Sequence, residues 1–158
     1  MDPTLAAERI PPARVDQIVD YLSLSALLDA ARTTALSVSH MCLTSTWSAI
    51  GQPAIRLRNA RTAQTRCREA RSALSGLGTR HVARLPDVQA AVARFGGVVG
   101  DAQALAVRLA RDETRGRVDE LWYLDQILVL DGRRGSAVRR LEAEIAAARA
   151  RARQAIAP

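Results

Sequence analysis

The chain has 158 residues, enough for one domain or for a small domain with an oligomerisation arm. Hydrophobic residues make up 48% and aromatics only 3%, so any core must be thin and built from alanine-rich helix contacts. All 23 basic residues are arginine, and the formal net charge of +7 equals the balance of residues 56–84, where eight arginines meet a single acid, Glu69. A neutral protein carrying one basic segment points to a polyanion partner, and arginine can grip phosphate or guanine with two parallel hydrogen bonds.

The pattern in chain order is helical throughout, with no convincing alternation of strand type. Residues 1–12 read as a flexible tail ending at Pro11-Pro12, and the Met-Asp-Pro start lacks a basic apolar leader. A long helix is expected over 13–43, with a possible break at Thr33-Thr34. Its apolar stretch contains Asp29, Arg32 and His40, which a membrane span would not readily bury. Thr44, Ser45 and Thr46 offer cap chemistry for a short helix over 47–55, and Asn59 caps a helix over 60–74 that stops at Ser75-Gly76-Leu77-Gly78. Pro86 opens a helix ending at Gly96-Gly97, and another covers 101–112. Arg115-Gly116-Arg117 is a candidate turn before a strongly apolar helix over 118–130. The run 131–135 reads as a second turn, and the last helix covers 136–155. In that helix Val138, Leu141, Ile145, Ala148, Ala152 and Ala155 form a weak heptad seam.

The expected fold is therefore all-α. A helix-turn-helix region over 13–78 precedes a helical bundle or weak coiled coil over 79–158 that serves oligomerisation.

Residues 46–71 carry the functional reading. Trp47, Ile50, Ala54 and Ile55 can brace a second helix, with Leu57 filling the turn. In that second helix Ala63, Cys67, Ala70 and Leu74 share an inward face by their spacing of four, three and four. Arg61, Thr65, Arg68 and Ser72 share the opposite face, Thr62, Gln64 and Arg66 flank it, and Arg56 and Arg58 lie just ahead. The expected DNA contacts are Arg61, Thr65 and Arg68 at base edges and Arg56, Arg58 and Arg71 at phosphates, with Asn59, Thr62 and Arg66 beside them.

The same stretch resembles the helix-turn-helix of actinobacterial regulators, whose pattern is roughly [ST]-W-x-x-[IL]-[GA] followed by L-R-[SN]-x-x-x-A-x-x-R. Thr46, Trp47, Ile50, Gly51, Leu57, Arg58, Asn59, Ala63 and Arg66 match it. Sigma-factor region 4 has a related rhythm. The resemblance implies a recognition helix starting near Asn59. The chain departs from the pattern at Arg56, where the turn usually has glycine, and at Pro53 inside the bracing helix.

The function expected is a cytoplasmic double-stranded DNA-binding protein, sequence-specific or architectural: a transcriptional regulator or small nucleoid-type protein, a homodimer or higher oligomer through 86–157, with two recognition helices meeting half-sites about 34 Å apart in the dimer. The alternative is a helical assembly protein with an acidic protein partner, including a small-terminase-like packaging subunit. His40, Cys42, Cys67 and His81 match no standard zinc spacing. No motif points to a cofactor, a nucleophile or a paired carboxylate, so no enzyme is expected. Trp122-Tyr123 is expected in the core or at a dimer interface.

Overall fold

Buried apolar positions recur at steps of three and four along most of the chain, and each such run forms one long helix. The computed structural model describes residues 12–39, 51–77 and 85–156. They form α1 (Pro12–Ser39), α2 (Pro53–Leu77), α3 (Pro86–Thr114) and α4 (Glu120–Ile156), with no strand among the described residues. Each helix packs mainly on its two neighbours in the ring α1–α2–α3–α4. Consecutive helices run antiparallel. Arg56 meets Glu113 while Arg71 meets Gln103, and Asp112 meets Tyr123 while Asp101 meets Arg133. The ring closes with α4 against α1, where Arg149 reaches Tyr21 and Glu142 reaches Arg32. The result is an up-and-down four-helix bundle.

The core draws on all four helices, on both sides of the expected boundary at 78–79. Leu24, Leu27 and Ala31 of α1 meet Cys67 and Leu74 of α2, Val88, Phe95 and Val99 of α3, and Leu141 and Ile145 of α4. Many of these residues are small, so the helices approach closely and little aromatic filling is needed. No helix of the described residues is long and apolar enough to cross a membrane.

Several expected breaks are absent. Gly96-Gly97 does not end a helix, because Phe95, Val98, Val99 and Ala102 keep α3 seated on the core through the glycines. The expected turn at 131–135 lies inside α4, between buried Leu130 and buried Ala137. There Arg134 pairs with Asp131 one turn back at 2.9 Å and Arg133 bonds Asp101 of α3 at 2.6 Å. Burial on both sides outweighs about 1 kcal/mol of helix propensity lost per glycine. Thr33-Thr34 does not interrupt α1, since Thr34 is buried on its inward face. The heptad seam of the last helix is used within the chain: Leu141, Ile145 and Ala148 belong to the core.

The expected turn at 115–117 is present. Gly116 takes a left-handed φ of 64°, and the N–H groups of Gly116 and Arg117 bond the carbonyls of Glu113 and Asp112 at 3.1 and 2.9 Å. These are the two bonds of a Schellman cap. Asp119 then caps α4, accepting from the Trp122 N–H at 3.1 Å on its side chain.

The expected helix-turn-helix is not formed by residues 51–59. Residues 56–59, the expected turn, lie inside the continuous helix α2, which starts at Pro53 with proline in its favoured first-turn place. Gly51, at φ 79°, and Gln52 precede it without helical structure, so a helix does not continue from 47 through 55. Trp47 and Ile50, expected to brace α2, lie outside the described residues, as do His40, Cys42 and His81.

Candidate nucleic-acid interface

α2 shows one face to the core and one to solvent. Arg56, Ala60, Cys67, Ala70 and Leu74 are buried. Arg58, Arg61, Thr62, Thr65, Arg66, Arg68 and Arg71 are exposed, and Asn59 is half-buried. The division of Arg61, Thr65 and Arg68 from Cys67, Ala70 and Leu74 is the one expected from their spacing. It brings Arg58, Arg61 and Arg68 together on one outward stripe, whose ends are about 15 Å apart at 1.5 Å per residue. Arg66 and Arg71 lie on opposite flanks of it. Arg71 leans toward α3, donating to Gln103 Oε1 at 3.4 Å.

The charge on this face is strongly positive, with Glu69 its one acid among the described residues. Five exposed arginines share α2 with one glutamate, Glu69. None of Arg58, Arg61, Arg66 and Arg68 pairs with a carboxylate of the described residues, whereas Arg32, Arg133 and Arg140 on other helices each do. Like charges held together without counterions are relieved by an external polyanion. The two threonines have partly spent their hydrogen-bonding capacity. Thr62 and Thr65 donate back to the carbonyls of Arg58 and Arg61 at 3.0 and 3.4 Å, so outward they offer acceptor lone pairs rather than a donor. Phosphate binding on this face therefore falls to the arginines.

Arg56 is the clear exception among the expected contacts. Its side chain is 8% exposed and bonds Glu113 through Nε at 2.8 Å, with a second bond from the other end of the guanidinium to Glu120. Glu120 also accepts from the Gly51 N–H at 3.2 Å. The Glu113 carboxylate, followed by Glu120, holds the Arg56 pKa above its ordinary value against the opposing effect of burial. Arg56 thus ties the start of α2 to the end of α3 and the start of α4, and it cannot reach a phosphate. Its position one step before Ala60 in the inward rhythm was the available signal.

Other ionisable groups are structural in character. Burial pushes the Cys67 thiol up to about 11, which makes it a poor nucleophile. The Tyr123 hydroxyl donates to Asp112 at 2.5 Å, and that bond, helped by Arg111 and Arg108, holds the Asp112 carboxyl below its ordinary range. Burial, then the same carboxylate, pushes the Tyr123 phenol up. Trp122 stands edge-on to Tyr123 and carries the Arg108 guanidinium over its ring at 4.1 Å. Tyr123 is therefore core, while Trp122 sits half-buried in the α3–α4 seam. Tyr21 accepts from Arg149 and Arg153 at 2.8 and 3.2 Å, which lowers its pKa. No three His, Cys, Asp or Glu side chains of the described residues gather as a metal site would require. A groove of about 710 Å³ between α2 and α3 is lined by Arg71, Leu74, Val92 and Gly96 among others, with Arg71 the one charged group among the described lining residues.

No protein-family model, curated protein or solved structure matches the chain. The functional reading rests on this geometry.

Proposed function

We propose that the protein binds double-stranded DNA through the exposed face of α2, without catalysing a reaction. The observation that carries this reading is the set Arg58, Arg61, Arg66 and Arg68, exposed on one helix with no carboxylate partner among the described residues. Arginines at these intervals can contact phosphates along and across a groove.

The bundle favours backbone contact over base reading. α2 is flanked on both sides by α1 and α3, so it cannot enter a major groove to the depth of a helix that stands clear of its domain. That face offers arginines, the single acid Glu69, and threonines whose donors are occupied. The reading is thus an architectural protein with weak sequence preference, rather than one that discriminates half-sites.

The test is fluorescence anisotropy on two duplexes of unrelated sequence, using the wild type and Arg61→Ala/Arg68→Ala. The proposal expects both duplexes to bind within a few-fold of each other and both to weaken equally in the variant. Strong preference for one sequence would return the assignment to a groove-reading regulator. Equal affinity of wild type and variant would remove α2 as the interface and favour an acidic protein partner.

A further inference from the structure

The outward face of α4 carries large apolar side chains that the bundle leaves uncovered. Leu121 is 75% exposed, Leu128 46% and Val129 60%. Along the same stripe, at steps of three and four, follow Leu121, Asp125, Leu128, Gly132, Gly135, Arg139 and Ala143. Gly132 is exposed, and a Cβ built there would meet nothing within 4 Å, so packing inside the chain gives no reason for glycine in mid-helix. Asp125 and Arg139 are exposed, and neither is paired with an oppositely charged side chain of the described residues.

We infer that this stripe is a homodimer interface in which two α4 helices cross antiparallel about a two-fold axis at Gly132. An isologous contact requires a self-complementary surface, and this stripe is one. Turning the stripe end for end about Gly132 sets each Asp125 opposite Arg139 of the second copy, so two cross-pairs form from four unpaired charges. The same turn sets Leu121 opposite Ala143 and Leu128 opposite the Gly135-Ser136 step, where Arg139, which lies over Gly135 and donates to Ser136 at 3.4 Å, must swing to Asp125 of the second copy and so clear the space. Gly132 meets its own copy at the axis, where absence of a side chain allows the closest approach. The contact runs from Leu121 to Ala143, about 33 Å along the helix, with Val129 at its edge. A polyanion does not fit this face, because its charges balance. The expected interface through Trp122-Tyr123 is thereby relocated to the next face of α4.

Light scattering on the full chain, without DNA, tests this independently of the α2 reading. The wild type should have twice the 17.1 kDa chain mass at about 100 µM. Asp125→Arg and Arg139→Glu should each give monomers, and the double exchange should restore the dimer. Gly132→Leu should also give a monomer, although it raises helix propensity, so loss of folding is not the cause. Leu22→Glu/Leu36→Glu, on the exposed face of α1, should leave the dimer intact. A monomeric wild type would overturn the inference, including one whose α4 face is protected from hydrogen exchange by another part of its own chain. So would a dimer that survives the single charge reversals, or one that the double exchange fails to restore.

Discussion

Removing the Arg56 guanidinium should be among the most damaging single changes in the bundle, and the reason is electrostatic rather than steric. Glu113 has a side chain only 6% exposed, and its partner at 2.8 Å is Arg56. Arg56→Ala would leave that carboxylate desolvated with no cation beside it, and it would also release the Glu120 contact that joins α2 to α4. Breaking a buried pair from one side typically costs about 3–5 kcal/mol. For a chain of this size, about 2–4 °C of melting temperature per kcal/mol gives a drop of roughly 10 °C. The paired variant Arg56→Met/Glu113→Met removes both charges and should recover most of that loss. Thermal unfolding followed by circular dichroism at neutral pH reads all three proteins. A loss below about 1 kcal/mol for Arg56→Ala, or no recovery in the paired variant, would show that the pair is not buried as described. Arg56→Ala should also leave the salt dependence of DNA binding unchanged, since Arg56 faces inward.

Glycine substitutions should divide by position. Gly97→Ala, in a helix with open space around it, should stabilise by about 0.5–1 kcal/mol, whereas Gly116→Ala, at φ 64°, should destabilise by about 1 kcal/mol or more in urea titrations. The Asp112 carboxyl has a folded pKa below its unfolded value, so its contribution is present above about pH 4 and lost as pH falls through the folded pKa. The melting-temperature gap between wild type and Tyr123→Phe should therefore be full at neutral pH and narrow under acid; a gap independent of pH would contradict the Tyr123–Asp112 bond. Cys67, with its thiol pushed up to about 11, should react with a thiol reagent at the rate of unfolding in a Cys42→Ser background. Because α2 and α4 are diagonal in the ring, a dimer through α4 should carry its two arginine faces on opposite sides. It should then retain a labelled duplex on an immobilised one, and Gly132→Leu should not.

The all-helical class and the exposed face of α2 were legible in the sequence, because both depend on local spacing. Ala63, Cys67, Ala70 and Leu74 against Arg61, Thr65, Arg68 and Ser72 is a pattern of period 3.6, and the fold preserves it. Glycine marks a true helix end at Gly116 but not at Gly96-Gly97 or within 131–135, and Pro86 does open α3. In α3 the inward rhythm Val88, Ala91, Phe95, Val98, Ala102, Ala106 and Leu109 crosses Gly96-Gly97 without a missed step. In α4 Tyr123, Ile127 and Leu130 are followed by Ala137 and Leu141, with half-buried Arg134, bonded to Asp131, at the inward position between them. Continuity of the apolar stripe was the better guide, since core contacts outweigh a local propensity of about 1 kcal/mol. The Arg56–Glu113–Glu120 network was not legible, because its members lie 57 and 64 positions apart and meet only when three helix ends converge. An arginine at an inward position of α2 signalled that some buried acid must face it, but not which one. That Arg58, Arg61, Arg66 and Arg68 meet no carboxylate among the described residues was equally invisible, because it depends on which acids the fold brings near.

The central claim is that these four arginines meet phosphates, and the slope of binding against salt tests it most directly. Four contacts predict a slope near −3.6 in log K against log salt, or roughly 100-fold weaker binding at 200 than at 50 mM. Arg58→Ala/Arg61→Ala/Arg68→Ala should reduce the slope to about −1. Arg32→Ala/Arg133→Ala/Arg140→Ala removes the same charge from arginines paired elsewhere and should leave the slope nearly unchanged. Equal losses in the two triple variants would mean that net charge alone drives binding, and would contradict the assignment to α2.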